Sequence, residues 1–152
     1  MLRNLKQLNV HIDILTDMYY KHCRNILELA VPAWNPGLTK AEINQLERVQ
    51  KAACAIMLGP QYKTYNLALK QLAMERLDTR RETICLNFGK KVLNSEEFCN
   101  WFNPNEGNKV PPKTRKQKTL IVDPLKSVTT RTQRFQKSPI PYLTNLLNNN
   151  TK

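Results

Sequence analysis

Acid–base, nucleophilic and metal chemistry each need certain side chains at certain spacings, and this 152-residue sequence keeps those side chains apart. No two aspartates are adjacent, so a paired-carboxylate arrangement for catalytic metal ions is missing. The four cysteines, Cys23, Cys54, Cys85 and Cys99, contain no C-x-x-C pair, and His11 and His22 do not complete a zinc spacing. Three of the four fall on apolar helix faces, where a free thiol packs as a small hydrophobe. Phosphate-binding glycine loops, a G-x-S-x-G elbow and an H-E-x-x-H helix are all lacking. The acidic residues are scattered beside basic ones, the pattern of solvent-facing ion pairs. The sequence predicts no autonomous enzyme, no cofactor and no metal.

What the chain offers in quantity is positive charge. Lys and Arg number 24 against 12 Asp and Glu, a net charge of +12. Residues 1–103 hold 14 cations against 10 anions, and residues 104–152 hold 10 against 2, so two-thirds of the excess sits in the last third of the chain. This asymmetry predicts a folded body with a basic tail. A polyanion such as nucleic acid is the first candidate partner, set against a merely solvated basic surface. Arg80 and Arg81 add a local anomaly, because they fall in the first turn of an expected helix, where the dipole disfavours cations. An anion must offset them, either a carboxylate such as Glu75 or Asp78 or a phosphate, and the intramolecular carboxylate is the simpler choice.

The elements that must carry these residues read as helices. Ile12, Leu15, Tyr19, Cys23, Ile26 and Ala30 recur at steps of three and four, which predicts one amphipathic helix with His22 packed at the edge of its apolar face. Pro32, Pro36 and Gly37 break the pattern around Trp34. Thr39 restarts it as an N-cap, with Glu42 completing a capping box. The stripe is Ile43, Leu46, Val49 or Gln50, Ala53 and Ile56–Met57, while Glu47, Arg48 and Lys51 point elsewhere. Gly59 and Pro60 stop the helix. A shorter helix is predicted over residues 65–73. Asp78 or Thr79 should cap the next, which carries Leu77, Ile84, Cys85, Phe88 and Val92 on its apolar side. Ser95 should cap a last short helix whose Phe98, Trp101 and Phe102 plug the core, and both Trp34 and Trp101 read as core anchors.

After Pro104 the character changes. Residues 104–119 lack apolar periodicity and read as a flexible basic linker. Leu120 to Val122 suit a short strand or a docking contact, and a short helix is expected near 141–147, followed by a disordered polar end. The expected fold is all-α, a small bundle of four to five helices over residues 1–103 with a basic, largely disordered tail over 104–152. No secretory segment and no apolar run of about twenty residues occurs. The chain is therefore expected to be intracellular, in nucleus or cytoplasm, with reduced thiols and no membrane partner.

One stretch carries a family resemblance. The run YYKHCRNILELAVPAWNPGLTKAEINQLERVQKAACAIMLG, from Tyr19 to Gly59, resembles the region just after the palm in reverse transcriptases of non-LTR (LINE-type) retrotransposons, jockey-like elements included. In that family a helix ends in an L-E-Y-x-x-P-x-W phrase and an L-E-x-V-Q-K-x-A helix ending in Gly follows. Ile26-Leu27-Glu28, Pro32, Trp34, Leu38-Thr39, Leu46 through Ala52, and Gly59 match those phrases in order. Tyr62, Tyr65, Ala68, Leu69, Leu72, Leu77, Arg80-Arg81, Phe88 and Lys90-Lys91 are similar to the pattern that comes next. The phrases NSEEFCNWF and RTQRFQKSPIPYLTNLLN look like endings of such elements, so the resemblance spans nearly the whole chain.

The resemblance implies a thumb and the helical region behind it, a non-catalytic piece of an RNA-directed DNA polymerase whose fingers and palm, with the Y/F-x-D-D loop, are absent from this sequence. It also implies sequence-independent binding of a primer–template RNA/DNA duplex through its phosphates, and association with the rest of the reverse transcriptase. Arg48, Lys51, Arg80, Arg81, Lys90 and Lys91 would be the contacts on the helices. Lys113, Arg115, Lys116, Lys118, Arg131 and Arg134 would be those in the tail, with Phe135 stacking on a base. The alternatives are a helical protein-interaction module and a remnant without function.

Overall fold

The computed structural model of the chain describes residues 1–98, 101–102, 125–128 and 132–150. The described residues form helices and no β-strand, so the fold class is all-α, as the periodicity predicted. They divide into two compact units, residues 1–31 with 38–83 and residues 32–37 with 84–152. The division falls between Thr83 and Ile84, within a helix, and not near residue 104 where the charge composition changes. Expectations for residues 104–119 and 120–122 lie outside the described residues.

The first unit begins with α1 (Leu2–Gln7) and α2 (Ile12–Met18), which continues through a π-helical turn (Tyr19–Arg24) into α3 (Asn25–Glu28). The expected single amphipathic face holds only as far as the π turn. Leu15 and Tyr19 are fully buried, but Ile26 is 73 % exposed and Ala30 is exposed. A π turn inserts extra backbone per revolution and rotates everything after it, so Leu27 and then buried Val31 take the inward positions instead. His22 is exposed and does not pack at a core edge. Ala30 adopts a left-handed φ of 53° before α4 (Val31–Trp34), a single turn followed by a 3-10 turn at Asn35–Gly37.

The central helix is α5 (Lys40–Leu58). Its capping box is present: the Thr39 hydroxyl accepts from the Glu42 N–H, and the Glu42 carboxylate accepts from the Thr39 N–H at 2.7 Å. Gly59 ends it at a φ of 55°, a conformation open to a residue without a Cβ. The expected stripe is inward through Gln50, Ala53 and Met57, with Ile43, Leu46 and Ile56 half-buried, and the buried face extends further to Glu47, expected to point elsewhere. Glu47, Gln50, Ala53, Cys54, Met57 and Leu58 point inward, while Val49 is 46 % exposed. α6 (Tyr65–Gln71), capped by Thr64, adds Ala68 and Leu69 to the same core. Ala73 then takes a left-handed φ of 50° and leads to α7 (Leu77–Leu93). That helix starts earlier than expected, with the Arg80 N–H already bonded to the Arg76 carbonyl, so Asp78 sits in its first turn and does not cap it.

The second unit contains the later turns of α7, then α8 (Gln133–Gln136) and α9 (Pro139–Asn149). α9 is longer than the short helix expected near 141–147. Pro139 supplies a fixed φ in the first turn. At the other end buried Asn148 accepts from the Leu125 N–H at 3.1 Å and donates to the Leu125 carbonyl at 3.0 Å. That two-bond clip anchors Asn148, and the helix reaches Asn149 in a polar end the sequence read as disordered, of which residues 151–152 lie outside the described residues. Gly89 lets α9 approach closely, since a Cβ there would lie 3.2 Å from Leu147 Cδ1. Ser95 starts no helix among the described residues. Of the aromatic trio only Phe102 is buried. Phe98 and Trp101 are 42 % and 49 % exposed, edge to face with centroids 5.1 Å apart, so Trp101 is no core anchor, and Trp34 is half-buried.

Candidate nucleic-acid interface

A phosphate-binding surface needs cations that are exposed and not already neutralised. On α5, Arg48 and Lys51 stand three residues apart on the exposed side. Among the described residues neither forms an ion pair, and Lys51 Nζ lies 5.1 Å from the Tyr65 ring centroid, a cation–π contact. The carboxylate next to them in sequence does not compensate them, because Glu47 is turned inward and is 4 % exposed. The Tyr65 hydroxyl donates to Glu47 Oε1, while Oε2 has no hydrogen-bond partner. Beside it the Tyr19 hydroxyl donates to Gln50 Oε1 at 3.0 Å, and Gln50 Nε2 donates to the Glu75 carbonyl at 2.8 Å.

The other carboxylates of this unit are mostly committed. Asp17 pairs with Lys21, and Asp78 binds the Arg76 guanidinium through two nitrogens. Arg76 holds the Asp78 carboxyl below its ordinary range, and the Asp78 carboxylate raises Arg76 in return. Arg80 finds an intramolecular carboxylate, as expected, but the partner is Glu28 at 3.1 Å, neither Glu75 nor Asp78. Arg24 donates to the same Glu28 oxygen at 2.6 Å. Arg81 is buried, 3 % exposed, which draws it away from an external phosphate.

In the second unit Lys90 and Lys91 are exposed in the last turn of α7, where they also complement the carbonyl end of the helix. Arg134 and Phe135 are exposed on α8, whose start is capped by the Thr132 hydroxyl accepting from the Phe135 N–H at 3.3 Å. Lys113, Arg115, Lys116, Lys118 and Arg131 lie outside the described residues.

Burial sets the acid–base behaviour of several thiols and phenols among the described residues. Cys54 and Cys85 are buried, and burial pushes the Cys54 thiol up to about 11, which makes it a poor nucleophile. Burial also raises the Tyr19 hydroxyl, and burial together with the bond to Glu47 raises Tyr65. Among the described residues no group of three His, Cys, Asp or Glu converges in a way that could hold a metal, and no helix is long and apolar enough to cross a membrane. Two features escaped the sequence. The i, i+4 spacing of Arg24 and Glu28 could have shown their pairing, but nothing local points to Arg80 as the third member or to Glu47 as buried. No protein-family model, no curated protein and no solved structure matches this chain.

Proposed function

We propose that this chain is a non-catalytic helical segment that binds nucleic-acid duplex without reading its sequence. We further propose that it corresponds to the thumb and post-palm region of a non-LTR retrotransposon reverse transcriptase. The binding is supported by one observation: exposed Arg48 and Lys51 in the first unit, and Lys90, Lys91 and Arg134 in the second, have no carboxylate partner among the described residues. Unneutralised cations on rigid helices are what counterion release from phosphates rewards. The assignment to a reverse transcriptase rests on the order of the LELAVPAW and LERVQKAACAIMLG phrases. Without the paired aspartates of a palm the isolated chain should not polymerise, and the rest of the reverse transcriptase would be its protein partner.

The test is fluorescence anisotropy with an RNA/DNA duplex and a DNA duplex over a range of salt. Affinity should fall linearly with salt on logarithmic axes and be equal for unrelated sequences. The double change Arg48→Ala with Lys51→Ala should reduce the slope by about 2. Negligible binding at low salt overturns the proposal. A second reading, a protein-interaction module, is favoured by an open apolar groove of about 420 Å³ that includes Leu2, Cys23, Val49, Ala52 and Ile56. Under that reading any duplex affinity is absent or insensitive to Arg48 and Lys51.

A further inference from the structure

Tyr20, Arg24, Asn25, Glu28 and Arg80 line a small open cleft of about 270 Å³ in the first unit. That is below the roughly 300–1,000 Å³ of clefts that hold drug-sized ligands. Its construction depends on the π turn. Tyr20, Arg24 and Glu28 are spaced by four, and in an unbroken α-helix each such step drifts by about 40° around the axis. The wider turn at Tyr19–Arg24 takes back that drift and keeps the three in one row. The Arg24 guanidinium lies 4.7 Å from the Tyr20 ring centroid and its Nε donates to Glu28 Oε1 at 2.6 Å.

Arg80 completes the cluster from α7, donating its Nε to the same Glu28 oxygen at 3.1 Å. Each arginine therefore uses only Nε on the carboxylate. Their Nη groups make no hydrogen bond among the described residues. Two guanidiniums on one carboxylate leave one unit of positive charge. The Arg24 and Glu28 side chains are only 14 % and 15 % exposed, so that charge is less screened than on an open surface.

We propose that this cleft seats one phosphodiester group of a nucleic-acid strand. The inference rests on the duplex-binding reading and adds to it a defined seat. Nη groups of Arg24 and Arg80 donate to the two non-bridging oxygens, the geometry in which arginine recognises phosphate best. Glu28 holds the two guanidiniums in place, and Tyr20 lies against the adjoining sugar or base. The single negative charge of a diester matches the single excess positive charge. A phosphate dianion would meet the Glu28 carboxylate with a charge left over.

The test titrates the full chain with thymidine dinucleotide and, separately, with inorganic phosphate at mildly alkaline pH, reading the Arg24 and Arg80 Cζ resonances by carbon-detected NMR, which needs no exchangeable proton. Saturable shifts with the dinucleotide, larger than with phosphate, are expected. Arg80→Gln, at the more exposed arginine, should weaken the dinucleotide by about tenfold. Glu28→Gln removes the internal anion and leaves two units of positive charge, so it should shift the preference from the dinucleotide towards inorganic phosphate while lowering the melting temperature; a purely structural ion bridge would give the second effect without the first. Silent Cζ resonances, a preference for inorganic phosphate, or shifts produced only by anionic lipid vesicles would each overturn the proposal. A duplex that binds while Arg24 and Arg80 stay silent removes the seat but leaves the duplex reading standing. Dinucleotide shifts without duplex affinity keep the seat and remove the duplex reading.

Discussion

Glu47 carries its carboxylate into the core of the first unit with one donor, the Tyr65 hydroxyl, and one oxygen without a partner. A buried carboxylate left without donors is destabilising by several kcal/mol. Tyr65→Phe should therefore cost about 3 kcal/mol, and adding Glu47→Gln in that background should recover much of it. Urea unfolding of the three proteins measures this directly, and a loss below about 1 kcal/mol for Tyr65→Phe would mean that the hydroxyl is not what supports the charge. The acids buried nearby set an alkaline limit. Tyr19, Tyr65 and Cys54 all titrate higher in the folded chain than in the unfolded one, chiefly through burial. Their contribution is fully present below about pH 8.5 and is lost as pH rises, because the unfolded chain ionises first. Denaturation midpoints should be level near neutrality and fall steadily towards pH 10 or so. Substituting Ala at Cys54, whose thiol ionises first in the unfolded chain, should flatten the fall.

The helices show which local signals were legible and which were not. The capping box of α5 and its stop at Gly59 were readable because each is a contract between residues three or fewer positions apart. The burial of Glu47 was not, since it depends on Tyr65 on another helix, 18 residues away. The π turn was invisible to a search that assumes 3.6 residues per turn, and it is what turned Ile26 outward. Left-handed backbone at Ala30 and Ala73 was likewise hidden, because sequence marks that conformation with glycine or asparagine, as at Asn9. Alanine there carries strain of about 1–2 kcal/mol, partly offset by the greater unfolded-state entropy of glycine. Ala73→Gly is expected to stabilise the chain by roughly 0.5–1 kcal/mol. Thermal unfolding checks it, and a lower melting temperature than the parent would refute the strain. For the candidate interface the exposed cations on α5 were legible from spacing alone. The inward turn of Arg81 was not, since an apolar stripe gives no warning that an arginine occupies one of its positions.

At the scale of the whole molecule, charge composition and compactness divide the chain at different places. Charge density marks where Lys and Arg accumulate, whereas compactness follows which apolar side chains can meet. Leu143 and Leu147 on α9, and Leu125, are buried within the second unit together with Cys85 and Val92. A chain ending at Asn103 should therefore lose more than a tail. It is expected to bind a hydrophobic dye strongly and to lose amide-exchange protection over residues 84–93, whereas a dispensable tail would change neither. The Asn35 amide ties distant parts of this unit together, donating to the Tyr142 hydroxyl at 3.3 Å and to Cys85 Sγ at 3.8 Å. Its two partners are 107 and 50 residues further along the chain. During synthesis the Pro32–Gly37 turn thus emerges long before the side chains it will bond, while the core partners of the first unit are already available by Thr83. Loops that long close slowly. The order of translation therefore sets an order of folding in which the first unit matures while the second still waits for α9.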